Sequence, residues 1–138
     1  MVNAAAYTDV DQAESDQKNA WEVNAVAPGL IARICCELNI VFLHLSTDYV
    51  FNGEEGGTEY RPYLESDRVS PLGVYGESKA EGERAIEAEM KKGGGRYHIV
   101  RTSWLYDNVG RNFFTTMVKL GQERSEIKVV YDQRGTPT

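Results

Sequence analysis

The sequence predicts an α/β fold in which helices cover a parallel sheet, and three observations carry that prediction. Apolar runs alternate with helical patterns in the order strand end, helix, strand, helix, strand, helix, strand. The run Ile40-Val41-Phe42-Leu43-His44-Leu45 shows no in-and-out alternation, as in a strand covered on both faces. Three loops, opening at Ala4-Ala5-Ala6, Ser46-Thr47-Asp48 and Thr102-Ser103-Trp104, follow strands and so share the carboxyl edge, where such sheets take ligands.

The chain opens as the tail of a strand running into a loop at Met1 to Ala6, and acidic residues in Asp9 to Ser15 suit a helix start. From Asp16 onward Ala20, Val23, Ala27, Leu30, Ile31, Ile34 and Leu38 recur at helical spacing and predict one apolar face. Pro28 interrupts this run and requires a kink or a local adjustment, because it has no N–H to give to the helix. Asn39 marks the stop. After the strand, His44 reads as a packed, hydrogen-bonded core residue, with catalysis as the minor alternative.

Asn52 to Pro71 is a long polar loop with Gly53, Gly56-Gly57 and Pro62, of a length that is usually functional or mobile. A helix is predicted from about Tyr75 to Lys92, with Ala80, Ile86 and Met90 as a thin apolar stripe and Gly93-Gly94-Gly95 as its end. Its carboxylates Glu81, Glu83, Glu87 and Glu89 read as a solvated face, and no metal-ligand spacing is present. Tyr97 to Val100 is the next strand. Asn112 starts a helix with Phe113, Phe114, Met117 and Val118 facing inward, and Ile127 to Tyr131 is a last strand.

Composition removes several function classes. Across 138 residues the net charge is −6, and the basic residues are scattered, which argues against a nucleic-acid surface. No apolar run is long enough to span a membrane, and no signal peptide pattern is present. Cys35 and Cys36 are neighbours and cannot staple distant segments, so a reduced cytosolic compartment is expected.

The chemistry concentrates at Tyr75-Gly76-Glu77-Ser78-Lys79. Residues four apart on a helix lie one above the other, which sets an ammonium beside a phenol. A neighbouring cation favours the phenolate, so the pair predicts a proton donor or acceptor working near neutral pH. Thr47, at the end of a strand, supplies a hydroxyl to hold the substrate oxygen. This is the logic of a hydride-transfer enzyme that works without a metal.

Five stretches in register extend that picture: Val2 to Asp11 with Ala13-Glu14, Val23-Asn24-Ala25, Leu45 to Phe51, Pro71 to Gly76 with Ser78-Lys79 and Gly82-Glu83, and Arg101 to Tyr106 with Asn112-Phe113. The terminal Asp132-Gln133-Arg134-Gly135-Thr136-Pro137-Thr138 agrees with them. Together they resemble the extended short-chain dehydrogenase/reductases, and within them the dTDP-4-dehydrorhamnose reductases. A lone Tyr-x-x-x-Lys recurs by chance in many helices; the ordered set is specific. The resemblance implies a partial Rossmann-like, doubly wound sheet over residues 1–138, incomplete as an NAD(P)-binding domain and including the start of a substrate-binding portion.

The resemblance also implies roles. Tyr75 is the proton donor, Lys79 lowers its pKa and holds the nicotinamide ribose, Thr47 orients the carbonyl, and Asn24 supports the lysine through a water. Ala4, Ala5, Thr102 and Ser103 lie along NADPH (or NADH). Tyr49, Trp104 and Asn112 line the nucleotide-sugar site together with Thr47, with Trp104 stacking on the thymine. The reaction implied is reduction of the 4-keto group of dTDP-4-dehydro-L-rhamnose to dTDP-L-rhamnose. A non-catalytic binding subunit of the same fold, or an enzyme for another nucleotide-activated 4-keto sugar, are the alternatives. Departures from the pattern are Asn52, Gly73, Glu77 and Asp107. No G-x-G-x-x-G or G-x-x-G-x-x-G occurs, so the chain is expected to be a central fragment that alone binds NADPH poorly, turns over little or nothing, and is self-associating or marginally stable through an open sheet edge.

Overall fold

A computed structural model describes residues 1–54, 61–133 and 135–138. Gly56-Gly57 and Arg134, used above, lie outside the described residues. The chain divides into two compact units, Met1–Arg101 and Thr102–Thr138, each described by itself.

The first unit carries the sheet. Strand β1 (Val2–Asn3) pairs in parallel with β2 (Phe42–Thr47), with Val2 opposite Leu43 and Asn3 opposite His44. β3 (Tyr97–Thr102) completes the order β1-β2-β3 and leaves β1 at an edge. The α/β class and the parallel pairing are as expected. Coverage of β2 is uneven, however: Phe42 and His44 are buried while Leu43 and Leu45 are only partly so.

Helices α1 (Val10–Ala13) and α2 (Gln17–Trp21) lead into a π-helical segment, Glu22–Val26, and then α3 (Ala27–Glu37). Asp9 caps α1 by accepting from Gln12 N–H at 3.0 Å. The π turn is the local adjustment that Pro28 requires. Proline in the first turn of α3 cannot donate to the Asn24 carbonyl four residues back, and widening the preceding turn absorbs the mismatch. Asn39 takes a left-handed conformation (φ 51°) after α3, as a helix stop should.

The buried face of α3 differs from the predicted one. Pro28, Gly29, Ala32 and Cys35 are buried, whereas Val23, Leu30, Ile34 and Leu38 are exposed. The small residues face α4 (Val74–Gly93), and small side chains let two helices approach closely. Large apolar residues at helical spacing were therefore a misleading guide to the inward side.

α4 matches the expected span, closes with Gly94 left-handed (φ 67°), and buries Ala80, Ile86 and Met90. Ile86 and Met90 join Ala32, Cys35 and Phe42 in one core cluster. Glu83, expected among solvated carboxylates, is buried at 4% exposure. It escapes the cost of burial because Arg101 neutralises it.

The second unit holds α5 (Phe113–Glu123), begun by Asn112 in a reciprocal cap with Thr115. Its start is as predicted, but Phe113, Phe114 and Val118 are exposed rather than inward, since no described residue covers that face. Ile127 to Tyr131 forms no strand. Its composition suits one, but a strand exists only through a ladder to a neighbour, and among the described residues this segment has none.

Candidate active site

The site lies where the carboxyl end of β2 meets the amino-terminal half of α4, both in the first unit. Gly73, the residue before α4, has no side chain to cap the helix. Glu14 from the end of α1 supplies the missing acceptor, taking the Val74 N–H at 2.9 Å. One turn on, Gly76 lets α4 run against the chain that follows β2, since a Cβ there would overlap the Tyr49 carbonyl.

That close approach sets Tyr75 beside Thr47. The Thr47 hydroxyl lies near enough to the Tyr75 phenol to favour its ionised form, and the Tyr49 ring meets the Tyr75 ring edge-on at 5.6 Å between centroids. Thr47 also accepts the Tyr49 N–H at 3.2 Å, which fixes its own rotamer at the strand end. Lys79, one turn further along α4, reaches the same strand: Nζ donates to the Leu45 carbonyl at 2.7 Å and meets His44 Nε2 at 3.2 Å. Thr47, Tyr75 and Lys79 thus converge on one strand end.

Their electrostatics differ from the expectation. Burial raises the Tyr75 phenol above its ordinary value, against the opposing influence of Thr47. Lys79 Nζ is turned to Leu45 and His44. Burial in turn pulls Lys79 down to about 8, with Glu83 acting the other way, and pulls His44 down to about 4.

Asn24 is fully buried in the π-helical segment, and its side chain is engaged by Tyr7 and Ser78. Its amide oxygen accepts Tyr7 N–H at 2.8 Å, and its amide nitrogen donates to Tyr7 O at 3.0 Å and to Ser78 Oγ at 3.1 Å. Ser78 Oγ donates on to the Tyr75 carbonyl at 2.8 Å. Asn24 therefore ties the loop after β1 to the helix turn that carries Tyr75. Ala4 and Ala5, in that loop, are exposed, and Ala5 N–H donates to Asn3 Oδ1 at 3.1 Å.

Glu83, Arg101, Ser46 and His44 were not singled out from the sequence as parts of this site. Glu83 accepts from Arg101 through Nη2 at 2.6 Å and Nε at 3.0 Å, and from Ser46 Oγ at 2.5 Å. Arg101 also lies 5.0 Å from the Phe51 ring centroid, and Phe51 stacks on Tyr63 at 4.1 Å. The available signal was spacing: Tyr75, Lys79 and Glu83 fall at i, i+4 and i+8 on one helix face.

Four predicted residues belong to the second unit. Thr102 and Ser103 are partly buried, and Ser103 N–H donates to Thr138 Oγ1 at 3.3 Å. Trp104 is half-exposed with a left-handed backbone (φ 46°), and its indole lies so close to Gly135 that a Cβ there would sit 2.5 Å from Cε2. Asn112 spends its side chain on Thr115 N–H, at 3.0 Å, and on the Asp107 carbonyl, at 2.7 Å. Capping accounts for its presence.

Comparison with known proteins gives a consistent set. The RmlD substrate binding domain model matches residues 1–138. A dTDP-4-dehydrorhamnose reductase of Mycobacterium tuberculosis is 43% identical over all of this chain and 44% of its own length. A crystal structure of a dTDP-4-dehydrorhamnose reductase from Clostridium acetobutylicum is 42% identical with a TM-score of 0.89, over 99% of this chain and 46% of that one. The corresponding Bacillus anthracis structure, in complex with NADP, is 42% identical with a TM-score of 0.87 and the same coverage. The chain spans less than half the length of these relatives.

Proposed function

We propose, from the premise that this chain belongs to the RmlD substrate binding domain family, that it is the central part of an NADPH-dependent reductase acting on dTDP-4-dehydro-L-rhamnose. The observation that carries this is the placement of Thr47 beside Tyr75 at the end of β2, with Lys79 one helical turn away and held by the Leu45 carbonyl of the same strand. A relative matching nearly the whole chain is described in complex with NADP.

The residues present fit the nicotinamide end of such a cofactor. Ala4 and Ala5 put only methyl groups at the exposed end of β1, where a flat ring can approach the backbone. Tyr75 and Lys79 are assigned to the ribose, with Thr102 and Ser103 along the nicotinamide. The chain contains no glycine-rich turn opening a helix, so the pyrophosphate has no cradle among these residues. NADPH, when bound, supplies the hydride that reduces the ketone carbon.

The chain's own residues manage the proton. Tyr75, protonated at neutral pH because burial raises its pKa, donates to the carbonyl oxygen as negative charge develops there. Thr47 donates a second hydrogen bond to that oxygen and fixes its position. Tyr49, half-exposed beside Tyr75, and Trp104 are assigned to the sugar nucleotide, with Asn112 as a weaker contact. The protein is assigned to the cytoplasm on the reduced pair Cys35 and Cys36 and on the proposed biosynthetic reaction.

The test replaces the matched 139 residues of the Mycobacterium tuberculosis relative with this chain and follows NADPH oxidation with dTDP-4-dehydro-L-rhamnose. Turnover that disappears in Tyr75→Phe is expected. A folded chimera that binds NADPH yet leaves the sugar unreduced overturns the assignment in favour of a non-catalytic binding role.

A further inference from the structure

Lys79 meets a buried chain of hydrogen bonds whose proton count is constrained. The chain runs from the Ala5 N–H to Asn3 Oδ1 (3.1 Å), from Asn3 Nδ2 to His44 Nδ1 (3.0 Å), and from His44 Nε2 to Lys79 Nζ (3.2 Å). His44 is fully buried, Asn3 is 8% exposed and Lys79 2% exposed.

The orientation of Asn3 follows from its first partner. A backbone N–H only donates, so the side-chain atom facing Ala5 is the oxygen, and the NH2 group faces His44. His44 Nδ1 must then accept. A neutral imidazole with a bare Nδ1 carries its proton on Nε2, and Nε2–H points at Lys79 Nζ. Only an amine has a lone pair to receive it. The amine keeps two N–H bonds, one of which serves the Leu45 carbonyl at 2.7 Å.

An ammonium at Lys79 breaks this count. It would donate to Nε2, move the imidazole proton to Nδ1, and set that N–H against the Asn3 NH2 at 3.0 Å. Turning the Asn3 amide over moves the conflict to the Ala5 N–H at 3.1 Å. The first arrangement sets two buried donors against each other, and the second takes the acceptor from the Ala5 N–H and turns the Asn3 NH2 towards it.

The charged groups around Lys79 leave this preference standing. On its own helix Glu83 favours the ammonium, but that carboxylate already accepts from Arg101 of β3 and from Ser46 of β2. Tyr75, also on α4, is a neutral phenol at physiological pH. From β2 Lys79 meets His44 and the Leu45 carbonyl, and β1 contributes Asn3 behind His44. Burial already moves Lys79 to about 8 and keeps the imidazolium of His44 out of play down to about pH 4. The donor count pushes Lys79 further in the same direction.

We infer that Asn3 and His44 are positioning residues that hold Lys79 as a neutral amine while no ligand lies beside it. A ligand that needs the ammonium must therefore bring a proton uptake with it. This concerns Lys79 alone and stands whether or not the reductase assignment holds.

The wild-type 138-residue chain tests it directly. Long-range 1H–15N correlation of the imidazoles at pH 7 is expected to show His44 protonated at Nε2 with a bare Nδ1. The Nδ1–H tautomer, or an imidazolium, overturns the inference. Trace acetylation across a pH series, read at Lys79 by mass spectrometry, gives the second measurement. Asn3→Asp presents oxygens to both Ala5 N–H and His44 Nδ1–H, frees Nε2 to accept, and is expected to raise the Lys79 pKa by about one unit or more. An unchanged Lys79 pKa in a folded Asn3→Asp chain also overturns it. If the variant does not fold, the wild-type tautomer still decides.

Discussion

Glu83 and Arg101 close a two-pronged ion pair between α4 and β3, with Nη2 to Oε2 at 2.6 Å and Nε to Oε1 at 3.0 Å. Ser46 of β2 donates to the same carboxylate, so one buried acid fastens three elements beside the Lys79 turn. Removing one member of such a pair strands the other. Glu83→Ala is expected to cost about 3 kcal/mol of stability, measured by urea unfolding. A loss below about 1 kcal/mol would place the pair among solvated surface contacts instead.

Gly82 touches the carbonyl of Asn24, the oxygen that Pro28 cannot bond, and a Cβ at position 82 would overlap it. Neither backbone can move without disturbing the π turn. Gly82→Ala should therefore destabilise the first unit by about 3 kcal/mol, with loss of the Asn24–Tyr7 hydrogen bonds visible as faster amide exchange at Tyr7. A Gly82→Ala variant as stable as the parent would show that the helices slide apart freely.

His44 makes the fold acid-sensitive. Its folded pKa of about 4 lies below the ordinary 6.5, so between those values the unfolded chain binds a proton that the folded one refuses. Stability should fall by about 3 kcal/mol as pH drops through that window, and unfolding at fixed urea should shift with it. An imidazole titrating near 6.5 in the folded chain, followed by NMR, would contradict this.

Tyr75 should remain a phenol well past neutrality in the ligand-free chain. Burial raises its pKa above the ordinary tyrosine value, so its ionisation is centred later than that of an exposed tyrosine. The difference in tyrosinate absorbance between the parent and Tyr75→Phe should stay flat through neutral pH and have its midpoint above about pH 10. Ionisation centred near neutral pH would show that Lys79 depresses the phenol even without a cofactor.

β1 exposes its outer side at the sheet edge, with Met1 62% and Val2 64% exposed. Free backbone donors and acceptors on an edge invite pairing with a second chain. Sedimentation of the 138-residue chain should show concentration-dependent association that Val2→Lys weakens. A monomer at every concentration would leave the edge without a partner of this kind.

Local rules acting on neighbouring residues were enough for the alternation of strands and helices as far as α5, the Pro28 adjustment, the Asn39 stop, the Asn112 cap and the one-turn spacing of Tyr75 and Lys79. Each depends on backbone dihedrals or on spacing within one element, which the residues themselves dictate. Tertiary structure alone decided which face of α3 turns inward, that Glu83 is buried, that Ile127 to Tyr131 stays unpaired, and where the Lys79 amine points. Those outcomes depend on which groups arrive from other elements. Arg101, Ser46 and His44 belong to strands rather than to α4, and only packing brings them to Glu83 and Lys79.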